Sequence, residues 1–130
     1  MSSKDIPLEF IGSSQDDLSD FPLPCKKEIG LSLRVAQKGD KADNAKPMQG
    51  FGGAGVLQIT SNFDGNAFRA VYTVKLKGVI YVLHAFQKKS TEGSKTSQND
   101  IDKIKARLKI AIELHEERED EQSKKHKKQR

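Results

Sequence analysis

The chain contains no tryptophan, one cysteine and only 6% aromatic residues. A single thiol, Cys25, closes no internal disulfide, so a cross-linked secreted scaffold is excluded and a reducing interior fits better. No apolar run approaches the roughly 20 residues that a membrane helix needs, and no apolar stretch of signal-peptide length follows Lys4. A soluble, cytoplasmic protein without a membrane partner is therefore expected. His84, His115 and His126 lack ligand spacing, and with one cysteine they offer no zinc set. There is no serine-centred elbow motif. Neither a metal nor a cofactor is expected.

Acidic residues are also scarce in one part of the chain. From Asn66 to Lys109 ten basic residues stand against Glu92, Asp100 and Asp102, whereas Met1 to Gly65 carries seven basic and nine acidic residues. The formal charge of +5 thus belongs to the second half of the chain. An excess placed in this way is the footprint of a polyanion binder, and a solvated basic surface looks the same.

The 130 residues suffice for one domain with one core. Ile6 to Ile11 reads as a short edge strand, and Ser14 with Asp17 as a capping box for a brief helical turn. Asp20 can cap a second helix whose Cys25, Ile29, Leu33 and Ala36 recur at helical spacing until Gly39. Gly30 costs that helix ~1 kcal/mol against alanine, which predicts close packing against another element. Gly39 to Gly55 reads as a polar, glycine-rich loop. Gly50, Gly52 and Gly55 match the dinucleotide fingerprint only formally, because a strand follows them where a helix is required.

Val56 to Thr60 is a strand, Asn62 to Gly65 a turn, and Arg69 to Lys89 a β-hairpin broken at Lys77-Gly78. With those two residues as the loop, Leu76 pairs with Val79, Tyr72 with Leu83 and Arg69 with Phe86. Alternation then puts Arg69, Val71 and Thr73 on one face with Val82, His84, Phe86 and Lys88. Lys88 lies diagonally across from Arg69, at roughly 7 to 8 Å. A basic pair at a strand end also serves simply to return the chain to water. His84 sits roughly 13 Å along the strand from Lys88, in an apolar run that suits a satisfied core histidine as well as a functional one. A last helix, capped by Ser97 or Asn99, buries Ile101, Ile104, Leu108, Ala111 and Ile112. Its Lys103, Lys105 and Arg107 face outward or toward a ligand. Residues 119–130 are expected to form a disordered basic tail behind one domain spanning 1–118.

The segments KPMQGFGGAGVLQI, NFDGNAFRAVYTVK, YVLHAFQKKS and DIDKIKARLK, with EIGLSLRVAQKG upstream, resemble the RelE/ParE superfamily of bacterial toxins, and its HigB-like branch in particular. Gln58 stands where that family usually has Glu. The resemblance implies an α+β, RelE-like fold: a small antiparallel sheet packed with two N-terminal helices and one C-terminal helix. It also implies a toxin that cuts mRNA on the ribosome without a metal and is silenced by a cognate antitoxin, a helix-turn-helix protein. Arg69, Lys88 and Lys89 are then the catalytic candidates, with Arg69 clamping the phosphate. Phe86, His84, Lys46, Lys103 and Arg107 are the RNA-binding candidates. A ParE-like gyrase inhibitor, or an inactive module that binds antitoxin or RNA, shares the same fold.

Overall fold

In chain order, β1 (Leu8–Phe10), α1 (Ser14–Ser19) and α2 (Leu23–Gln37) precede four further strands and a long closing helix. The strands are β2 (Ala45–Pro47), β3 (Val56–Phe63), β4 (Asn66–Thr73) and β5 (Ile80–Lys88), and the helix is α3 (Gln98–Lys128). This computed structural model describes residues 5–88 and 96–128, with side chains as far as Glu121. The five strands form one sheet in the order β1-β5-β4-β3-β2.

The sheet is antiparallel except at β1, which runs parallel to β5 with Leu8 opposite Ile80. The long apolar run of β5 follows from that central place: flanked by β1 and β4, it buries side chains on both faces. Cys25, Ile29, Leu33 and Ala36 of α2 cover one face, against Ile59, Ala70, Tyr72, Val82 and Ala85. Ile104 and Ala111 of α3 cover the other, against Val71, Tyr81, Leu83 and Phe86.

Arg69 pairs with Phe86 as the hairpin pattern requires, but the register changes further along. Val71 faces His84 and Tyr72 faces Val82, so Leu83 is an extra residue on β5, a β-bulge. The expected Tyr72–Leu83 pair is therefore absent. Val82 lies on the α2 side with Tyr72, not on the Arg69 face. Lys77-Gly78 does form a tight turn, with the Val79 amide donating to the Leu76 carbonyl (3.2 Å) and Gly78 at φ 87°, and the expected turn before β4 is a two-residue loop of the mirror-image type, Asp64 (φ 53°) and Gly65 (φ 79°). Residues 74–79 between β4 and β5 form a longer connection.

Four local expectations are corrected. Ser14 is buried and donates to the Val82 carbonyl (3.0 Å), while Asp20 ends α1 and Pro22 precedes the first turn of α2. Gly30 is solvent-exposed, and a Cβ there would meet nothing within 4 Å. The segment read as a loop before Val56 contains β2, whose Lys46 pairs with Gln58.

Ser97 caps α3 as expected: its hydroxyl accepts from the Asp100 amide (3.2 Å) and donates to the Asp100 carboxylate (2.7 Å). Ile112 is 38% exposed and leaves the buried stripe. The helix also continues to Lys128, through the segment expected to be a disordered tail. Acidic residues from Glu113 to Glu121 precede the basic ones from Lys124 onward, the order that the helix dipole favours at its C-terminal end.

Candidate functional site

Strand pairing sets three side chains in neighbouring rows on the α3 side of the sheet. Lys46 of β2 lies opposite Gln58 of β3, and one row further along Thr60 of β3 lies opposite Arg69 of β4. Lys46, Gln58 and Arg69 open into a cavity of about 530 Å³, walled by Pro47, Met48, Gln49, Thr96 and Ile101. That volume lies within the range of small-ligand sites.

The electrostatics of the cavity centre on Arg69. Its guanidinium is partly buried, and burial pushes its pKa below the ordinary value. Its hydrogen bond among the described residues goes to the Thr96 hydroxyl (Nη1 to Oγ1, 3.4 Å), not to a carboxylate. Arg69 Nε is buried without an acceptor, and Gln58 Oε1 is buried without a donor. A partly buried cation with no counter-charge among the described residues favours an anion that completes it. An unfilled donor and an unfilled acceptor therefore face one cavity.

The structure divides the remaining candidates. Lys88 follows Phe86 by two residues and shares the Arg69 face, but it is buried and lies outside the cavity lining. Lys89 lies outside the described residues. Phe86 is 8% exposed and stacks on His84 (centroids 4.9 Å apart, planes at 18°), so a base cannot take that ring face.

His84, one of the RNA-binding candidates, is 3% exposed. Its Nε2 lies 2.7 Å from Asp100 Oδ1, and its Nδ1 lies 3.2 Å from Arg107 Nη1. A carboxylate on one nitrogen and a guanidinium donor on the other select the neutral ring with its proton on Nε2. Burial lowers the His84 pKa foremost; Asp100 opposes that shift, and Arg107 and Lys103 add to it.

Arg107 is likewise turned inward. It donates to the Leu83 carbonyl (3.1 Å) and the Ser13 hydroxyl (3.1 Å), beside Gly12, where a Cβ would come within 2.8 Å of its guanidinium. The positive φ of Gly12 (59°) and its missing side chain make room for that contact. Lys103 is exposed on α3. Among the described residues, no three His, Cys, Asp or Glu side chains come together as a metal site would require.

A family profile described as "Phage derived protein Gp49-like" matches residues 16–109. The chain belongs to this Gp49-like family. No curated protein sequence matches it. Among solved structures, the Gp49-like chain is similar to a double arginine-to-alanine mutant of the E. coli toxin RelE in the free state. Identity is 15%, coverage is 68% of this chain and 87% of that one, and the TM-score is 0.50. That likeness shows a RelE-like fold for the Gp49-like chain.

Gln58 is the cavity residue that sequence reasoning missed as a site. Its place there depends on β2, a strand of three residues inside a segment that reads as loop. Thr96 and Ile101 line the cavity because the start of α3 comes close to Arg69, a placement no local pattern encodes.

Proposed function

We propose that this protein is the toxin of a toxin–antitoxin pair, of the HigB-like kind, and that it cuts single-stranded RNA. The observation that carries this reading is Arg69: a partly buried guanidinium without a carboxylate partner among the described residues, its Nε unfilled, opening into a cavity beside Lys46. A phosphodiester supplies the missing acceptors, and the planar fork of arginine can hold two of its oxygens. The RelE-like fold and the basic excess after Asn66 agree with it.

In the proposed reaction the ribose 2′-oxygen attacks the adjacent phosphorus and the bond to the 5′-oxygen breaks, leaving a 2′,3′-cyclic phosphate and a 5′-hydroxyl. No metal enters this scheme. Arg69 holds the phosphate as negative charge grows on its oxygens, and Lys88 adds positive potential from the same sheet face. Lys88 and Lys89 are the proposed groups for proton transfer, which takes the proton from the 2′-hydroxyl and supplies one to the leaving 5′-oxygen. The proposed partners are mRNA on the ribosome and a helix-turn-helix antitoxin that silences the protein in the cytoplasm.

The test compares growth inhibition, RNA cleavage and thermal melting for wild type, Arg69→Ala and Arg69→Lys. Arg69→Ala should lose ~10² to 10³ in cleavage rate, and Arg69→Lys should fail as well because an ammonium cannot make the two-pronged contact. Both should melt as cooperatively as wild type. Full toxicity in a folded Arg69→Ala variant would move the assignment to a protein target such as gyrase.

A further inference from the structure

Gln58 Oε1 is buried, and among the described residues it has no hydrogen-bond donor. Leaving a buried acceptor unfilled costs free energy. The side chain sits in the middle of the sheet, between Lys46 and Val71, so the strands on either side fix its position. The row of Gln58 and Val71 is adjacent to the row of Thr60 and Arg69, which makes Gln58 and Arg69 diagonal neighbours. Such positions lie roughly 7 to 8 Å apart at the backbone, close enough for two long side chains to converge on one small group. Arg69 offers that group a donor, and Gln58 offers it an acceptor.

We infer that Gln58 is a specificity-determining residue that accepts a hydrogen bond from the ribose 2′-hydroxyl of the nucleotide whose 3′-phosphate Arg69 holds. This rests on the reading of Arg69 as a phosphate anchor. In a ribonucleotide the 2′-hydroxyl and the 3′-phosphate are on adjacent carbons, so a phosphate acceptor and a hydroxyl donor arrive side by side. Met48, Pro47 and Ile101 supply apolar walls for the sugar and base faces. Deoxyribose lacks the donor and leaves Oε1 empty, so the site discriminates RNA from DNA through Gln58.

The experiment uses ribonucleoside 3′-monophosphates, their 2′-deoxy counterparts and inorganic phosphate, none of which can be cleaved. Binding is followed by amide chemical shifts in wild type, Gln58→Met and Arg69→Ala. Wild type should favour the ribonucleotide by about fivefold, the ratio that one neutral hydrogen bond supports. Gln58→Met should bind both sugars alike, and Arg69→Ala should bind neither. Equal binding of both sugars by wild type overturns the inference while the phosphate anchor stands. A base preference that disappears in Gln58→Met also overturns it, since the acceptor then reads a base. If wild type binds no probe, inorganic phosphate included, the anchor itself is wrong and the proposed function falls with it.

Discussion

At the scale of single residues, His84 is a buried imidazole with a partner on each ring nitrogen. Its ring is held between Asp100 and Arg107, and Asp100 also closes the cap of α3 through Ser97. One carboxylate thus fixes both the start of a helix and the tautomer of a buried imidazole. Because the folded pKa of His84 is depressed, its contribution to stability is complete above the unfolded value of about 6.5 and is lost as pH falls through the folded value. Acidification below about pH 6.5 should therefore destabilise the protein, as a charged ring is forced among Arg107 and Lys103. Asp100→Asn removes the group that raises the His84 pKa while keeping an oxygen that can accept from Nε2. Its ring titration, followed by NMR, should move to lower pH than in wild type. A midpoint that stays put or rises would show that Asp100 is not what sustains the charged form.

At the scale of elements, helix periodicity was legible because burial repeats with the turn of the helix: Cys25, Ile29, Leu33 and Ala36 all face the sheet. The hairpin face was legible in part. Alternation carried Arg69 to Phe86 correctly, but the bulge at Leu83 broke the count beyond Val71, and no side-chain type announces an extra residue in an apolar run. The parallel partner of β1 and the three residues of β2 depend on contacts distant in sequence, so local pattern could not reveal them. Gly30 is a further case, since the helix carries its cost without any packing that requires it. Gly30→Ala should raise stability by about 1 kcal/mol, seen as a higher urea midpoint at unchanged slope. A lower midpoint would mean that the exposed surface of α2 is strained by a Cβ in a way its open surroundings do not show.

At the scale of the whole molecule, the proposed RNA binding depends on where the positive charge resides. The formal charge is +5, and the segment after Glu121 alone carries Lys124, Lys125, Lys127, Lys128 and Arg130 without an acidic residue. Residues 1–121 are therefore formally neutral (+5 − 5 = 0). A neutral body still holds Lys46 and Arg69 at the cavity, so attraction over distance and grip at the site come from different parts of the chain. Phosphate contacts release counterions, and each one on a single strand steepens the log–log dependence of affinity on salt by about 0.7. Ending the chain after Glu121 should weaken RNA binding at low salt and flatten that slope. It should leave cleavage positions unchanged, because Arg69 and Gln58 remain. The measurement pairs a salt titration of RNA binding with mapping of RNA 5′ ends for both chain lengths. A slope unaffected by truncation would locate the attraction in the sheet face rather than the helix end. Cleavage that moves to new positions would mean that the end of α3 guides the strand through the site and does more than hold it nearby.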